Sequence, residues 1–247
     1  MLSSEKIMRN IILASILEPI PDKKWCTTRY KDCSLKAKLE YFLIAWCNIG
    51  YDFYTLSERI KQNKYKQPSM IYDIAYNAQL HSYQNRNWGK VNFGIIELLV
   101  PIVTAQLVYN TSWIDTLKKT QQVIENTSKE DIKEHYKFRL EAKSRSTNKN
   151  WIEFLNVKTI KEYFEKADKN RLTDKVRHTD YISWMKFAQT AYQIIISNDY
   201  EDILGNSVIA YDKLISENKG LEGLVADNIC IGIYLALCDM SDDKIII

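Results

Sequence analysis

The chain has 247 residues, of which 46% are hydrophobic and 26% charged, with a formal net charge of +3. That length and balance suit a globular protein with one sizeable core, and so small a charge gives no electrostatic footprint for nucleic acid. Seven glycines and four prolines leave few sites for tight turns, which argues against a many-stranded sheet and for long helices.

In chain order, Ser3 or Ser4 is placed to cap a first helix carrying Ile7, Met8, Ile11, Ile12 and Ile16. Pro19 ends it, because the residue before a proline is pushed out of the α region. The apolar run Ile11–Leu17 has no basic leader or small-residue cleavage site, so it reads as a core helix and not a signal peptide. A polar, basic loop from Asp22 to Cys33 follows. Ser34 then reads as the cap of a second helix with Leu35, Leu39, Phe42, Leu43, Trp46 and Ile49 on one face, bending at Gly50 and closed by Pro68. A third helix from Ser69 turns Ile71, Ile74, Ala75 and Ala78 inward and ends near His81. That histidine is either an acid–base group or a cation at the helix dipole.

The stretch Asn92–Ala105 is apolar on every side, so the helix it forms must be buried all round. It is shorter than the roughly 20 apolar residues a membrane span needs. Gly94 permits close approach to its first turn, and Pro101 predicts a kink. The unpaired N–H groups of that turn, with Arg86, Asn87 and Lys90 just upstream, suggest a seat for an anion. Glu97 stands alone among apolar neighbours, where a carboxylate is costly unless paired or protonated, which leaves a functional role, a private salt bridge or an edge position open, with a structural role favoured.

Asn110-Thr111 breaks the pattern, and Ser112-x-x-Asp115 opens a helix to about Asn126. Thr127-x-x-Glu130 and Ser128-x-x-Asp131 overlap as two candidate capping boxes for the next helix, 129–143. A polar run Lys143–Asn150 reads as a loop. Further helices are predicted over Thr159–Lys166, from about Leu172 through Ile195, from Asp199 to a stop at Gly220, and over Leu221–Cys238, again almost wholly apolar. The expected fold is all-α, a single compact multi-helix domain around a buried central helix at about residues 92–108.

Cys26, Cys33, Cys47, Cys230 and Cys238 are odd in number and form no C-x-x-C pair, so reduced thiols in the cytoplasm are expected, not disulfides or zinc. No P-loop, G-x-G-x-x-G, H-E-x-x-H or G-x-S-x-G motif is present. The residues alone therefore carry no sharp chemistry.

A resemblance supplies more. Asn92, Gly94, Ile95, Ile96, Leu98, Leu99, Pro101 and Ala105 are similar to the N-x-G-(apolar run)-P segment of the triphosphoribosyl-dephospho-CoA synthase family, in its archaeal-type branch. Arg29, Tyr30 and Asp32, and later Asp131 and Arg139, also fall where family members carry such residues. The resemblance implies a transferase of coenzyme or prosthetic-group biosynthesis that joins ATP to a dephospho-CoA-like acceptor and releases adenine. It implies Asp131 and Asp32 as catalytic carboxylates. Lys23, Arg29, Lys90, Asn92, Gly94 and Arg139 would bind phosphate, and Mg²⁺ would accompany the ATP substrate. Either Asp180 or Ser183 matches a further aspartate of the family. The chain departs from the pattern at Pro21–Lys24, at Lys90-Val91 and at Ser144–Thr147, where a proline-glycine-glycine turn is usual. Those departures support a second reading, a non-catalytic helical relative that binds a nucleotide or a protein partner. The partner expected is a nucleotide or phosphorylated small molecule, with neither membrane nor nucleic acid involved. The sequence leaves the metal ligands unassigned and a homo-oligomer open.

Overall fold

In the computed structural model, which describes residues 2–24, 26–32, 38–85, 91–111, 113–142, 156–166, 181–197 and 202–240, the apolar stripes become ten helices. They are α1 (Ser4–Leu17), α2 (Leu39–Gln62), α3 (Tyr72–Ser82), α4 (Phe93–Tyr109), α5 (Trp113–Glu125), α6 (Lys129–Glu141), α7 (Ile160–Lys166), α8 (Tyr181–Ile195), α9 (Ile203–Glu217) and α10 (Glu222–Asp239). The described residues hold no strand, only an isolated bridge between Thr28 and Lys31. The fold is all-α.

Local chemistry sets the helix ends. Ser3 accepts a hydrogen bond from the Lys6 N–H and caps α1, and Glu18, next to Pro19, closes it. Of the two overlapping boxes before α6, the second forms: Ser128 Oγ accepts from the Asp131 N–H at 3.2 Å, and the Asp131 carboxylate accepts from the Ser128 N–H at 3.1 Å. Thr127 serves a different helix. Its hydroxyl accepts from the Ile160 N–H at 2.8 Å and so starts α7. Ser34, Ser112 and the loop 143–150 lie outside the described residues.

The two helices without a polar face in the sequence take the centre. Every residue of α4 from Gly94 to Ala105 is buried. It packs against α2, α3, α5 and α10, while α10 also covers α1, α8 and α9. Buried apolar residues from all ten helices form one cluster around this pair. Helix α4 continues through Pro101, whose ring takes away the donor that the Glu97 carbonyl would otherwise accept. Helix α2 is likewise continuous through Gly50, where the sequence suggests a bend. A Cβ there would collide with the Ile12 side chain of α1, so this glycine serves close packing.

Leu99 is fully enclosed in α4. Leu99→Ala is expected to cost about 2–5 kcal/mol of unfolding free energy, through lost transfer energy plus the cavity left behind. Chemical denaturation measures this; a loss below about 0.5 kcal/mol is the behaviour of a surface position and would displace α4 from the centre.

Candidate functional site

Asn92 occupies the N-cap position of α4 with left-handed backbone, φ 76°. A cap that bonds its own first turn normally sits on extended backbone, and Asn92 makes no such bond. The residue is 5% exposed, and both its Oδ1 and its Nδ2 are enclosed without a hydrogen-bond partner. Asn85 and Asn110 adopt the same left-handed conformation, yet both are exposed. Tolerance of that backbone thus explains the asparagine but not the burial of its amide. Each enclosed, unmatched donor or acceptor costs about 1–3 kcal/mol.

Two residues on, a Cβ at Gly94 would fall inside the carboxylate of Asp227 on α10. Only a glycine lets that carboxylate lie against the first turn of α4, the positive end of the helix. The position predicted to seat a phosphate therefore already faces an anion of the protein itself.

One turn deeper, Glu97 sits in a buried salt bridge, one of the alternatives its sequence context leaves open. His135 Nε2 and Arg139 Nη1 both donate to Glu97 Oε1, at 2.9 and 2.8 Å. The side chains of Glu97, His135 and Arg139 are only 0%, 1% and 2% exposed. Aromatic rings enclose them. Tyr72 and Tyr163 meet the imidazole edge-on at 5.0 and 4.9 Å, and the guanidinium lies over Phe93 and Tyr163 at 5.5 and 5.4 Å. Phe93, the neighbour of Asn92, stacks on Phe138 at 4.8 Å. Arg139 is thus an ion-pair partner of α4, buried with its counter-charge.

Asp131 sits four residues before His135, so Asp131, His135 and Arg139 form one buried polar stripe along α6. Besides closing the α6 box, its Oδ1 accepts from the Ile71 and Tyr72 N–H groups at 2.7 and 2.9 Å, which caps α3 as well. Burial pushes its carboxyl up, while the N–H groups of Ile71, Tyr72 and Ser128 pull it down. Both oxygens are committed to backbone. The cap reading of Asp131 is the one its geometry displays.

The remaining predicted residues divide between the loop after α1 and the stretch before α4. Lys23 is buried and donates to Glu18 Oε1 at 2.7 Å and to the Glu18 carbonyl, pinning the loop back on α1. Tyr211 strengthens the pin by donating to the Lys24 carbonyl at 2.6 Å. The buried Cys230 thiol is pushed up first by burial, then by Glu18 and Asp227, against the pull of Ser15 and Lys23. Arg29 and Asp32 are exposed. The Arg29 guanidinium lies over Tyr30, and Asp32 Oδ1 accepts from the Leu39 N–H at 3.0 Å, at the start of α2. Lys90, Arg86, Asn87 and Asp180 lie outside the described residues, as does the side chain of Ser183. His81 hydrogen-bonds through Nδ1 to buried Asp52 at 2.9 Å and ties α3 to α2. Burial pushes that Asp52 carboxyl up, against the pull of His81.

Sequence reading missed His135 and Asp227. His135 has a partial signal in its spacing, midway between Asp131 and Arg139 on one helical face, but nothing in the sequence ties that face to Glu97. Asp227 has a weaker signal, an acidic residue within the apolar run of α10. Nothing in the sequence points it toward Gly94, because that contact depends on how α10 crosses α4.

A magnesium-bound triphosphate needs carboxylate oxygens turned toward the metal. Asp131 has both oxygens on backbone N–H groups, and Asp32 serves the start of α2. Of the two, Asp131 does not fit a magnesium ion, since both its oxygens face backbone N–H groups. Among the described residues, no group of three His, Cys, Asp or Glu residues is placed to hold a metal, and no helix is long and apolar enough to cross a membrane. The chain matches no family model, no curated protein and no solved structure. Fold and site together define an all-α protein with a buried ionic cluster and an enclosed amide at the head of its central helix.

Proposed function

We propose that this protein is a ligand-binding helical relative of the triphosphoribosyl-dephospho-CoA synthase family, which binds a nucleotide at the start of α4 and does not carry out the family's transfer. The observation that carries the binding half is Asn92, a buried amide with a donor and an acceptor unmatched at the first position of the central helix. A bound molecule with a complementary acceptor and donor would offset that cost. The absence of transfer is supported by the residues that the resemblance nominates for it. Arg139 is neutralised by Glu97, Lys23 by Glu18, and Asp131 is held by three backbone N–H groups. Positions that match the family thus support the architecture here.

The test is calorimetry and thermal shift with ATP, with and without magnesium. A ligand that binds only the folded state raises its melting temperature. Asn92→Gly keeps the left-handed backbone at no steric cost and removes the amide. It is expected to weaken nucleotide binding by about tenfold or more without lowering the unliganded melting temperature, because it removes two unmatched polar atoms from the interior. With dephospho-CoA added, no adenine should be released from ATP. Equal affinities for wild type and Asn92→Gly would remove Asn92 from the site, and steady adenine release would restore the transferase.

A further inference from the structure

We propose that Asp52 and His81 form a nucleophilic dyad whose imidazole Nε2 accepts a phosphoryl group from an activated donor such as an acyl phosphate. The proposal stands independently of the nucleotide reading above. Asp52 of α2 is 5% exposed, and its two oxygens lie 3.0 and 2.9 Å from His81 Nδ1 at the end of α3. A carboxylate only accepts, so Nδ1 carries the ring proton and the lone pair of the neutral imidazole is on Nε2. The histidine side chain is 41% exposed, and its Nε2 makes no hydrogen bond to the described residues. The other described histidine is arranged the opposite way. His135 is 1% exposed and spends its Nε2 on Glu97.

A tie between α2 and α3 does not account for this arrangement by itself. Arg59 already joins the two helices, meeting both oxygens of Asp73 at 2.8 and 2.7 Å and donating to the Met70 carbonyl at 3.1 Å. Asn48 adds a bond to the Gln84 carbonyl at 2.9 Å. A buried carboxylate behind a solvent-facing imidazole is the geometry that orients and activates Nε2. Attack by its lone pair forms an N–P bond while the bond from phosphorus to the leaving oxygen breaks, and the leaving group keeps that electron pair. No proton has to move. Positive charge develops on the ring, and the Asp52 carboxylate at Nδ1 offsets it. Phosphoryl transfer asks chiefly for a positioned nucleophile and charge stabilisation, and an exposed ring lets the donor approach without an enclosed pocket. An acyl group on the same nitrogen would be lost rapidly to water, whereas an N–P bond persists at neutral pH.

Treatment of the full chain with phosphoramidate, read by site-resolved mass spectrometry, tests this. His81 is expected to gain an acid-labile, base-stable phosphoryl group about tenfold faster in the folded chain than in urea, since unfolding separates it from Asp52. His135 should show the reverse, shielded by folding. Acetyl phosphate should label the same nitrogen as phosphoramidate, and NMR should place the group on Nε2. Asp52→Asn is expected to slow His81 by about tenfold or more, because it removes the charge and can turn an amide donor toward Nδ1. Circular dichroism checks that this variant is folded, and the folded-versus-urea comparison on the wild type needs no variant at all. Labelling by neither reagent, labelling at Nδ1, or a His81 rate no higher in the folded chain than in urea would overturn the proposal. A rate indifferent to Asp52→Asn with a lowered melting temperature would also overturn it, leaving the pair as a structural tie.

Discussion

Glu97→Leu is expected to lower the unfolding free energy by about 3–5 kcal/mol, because it strips the counter-charge from a guanidinium buried among aromatic rings. Arg139 cannot shed its proton at any ordinary pH, so the variant must either bury that cation against Phe93 and Tyr163 or pull α6 away from α4. The cation–π contacts with those rings are already made in the wild type, so they do not offset the loss. His135 loses the same acceptor, at 2.9 Å in the wild type. The decisive measurement is a double-mutant cycle by chemical denaturation. Arg139→Leu alone should also destabilise strongly, since it leaves the Glu97 carboxylate with only His135 of the two donors. Glu97→Leu combined with Arg139→Leu should recover more than half of the summed loss, because replacing both partners of a buried ion pair with apolar groups is close to neutral. Additive losses would mean that the two residues do not share the interaction, and a single-variant loss under about 1 kcal/mol would place the cluster in contact with solvent.

The fold was legible in the sequence where a helix has one apolar stripe and a defined stop. Ser3, Pro19, Asn110 and the Ser128–Asp131 box mark ends that backbone chemistry alone decides. The uniform apolarity of α4 correctly marks it as the buried central helix, while the place of α10 beside it emerges only in the fold. Gly50 shows what local reasoning misses: a glycine in a helix reads as a weak point, while the reason for this one is the side chain of Ile12 in another element. Glu97 was legible as a residue in need of a partner because the cost of burying a lone carboxylate is large and context-free. Which partner it takes was not, since His135 and Arg139 lie 38 and 42 residues away.

The candidate site was legible only as a place. Asn92 and Gly94 do sit together at the head of α4, but their chemistry is set by Asp227, 133 residues beyond Gly94 (227 minus 94). A sequence pattern records that a glycine is needed; it does not record whether the group approaching that glycine is a ligand or the protein's own carboxylate. The same ambiguity runs through the other matched positions. An aspartate that caps two helices and one that steadies a transition state look alike in the chain. They differ in what faces their oxygens.

Asp131 is where that difference has its largest measurable consequence. Asp131→Ala is expected to cost about 3–6 kcal/mol, because it orphans the N–H groups of Ile71, Tyr72 and Ser128 at about 1–3 kcal/mol each, less whatever water reaches the part-exposed Ser128 end. One residue here holds the first turns of both α3 and α6, so its removal should loosen two helices at once. Amide hydrogen exchange separates this from a purely local effect: protection should fall at the start of α3, some 60 residues away in sequence, as well as at the start of α6. Asp131→Asn keeps the acceptor for Ile71 and Tyr72 but turns an amide donor toward the Ser128 N–H. It should therefore cost less than alanine and leave α3 protected while α6 frays. A catalytic carboxylate in an open pocket would behave in the opposite way, with stability unchanged or raised on substitution, as is common where a site is strained for function. Loss of stability with loosening of both helix starts would establish Asp131 as a structural cap. Unchanged stability would return it to the list of residues able to do chemistry.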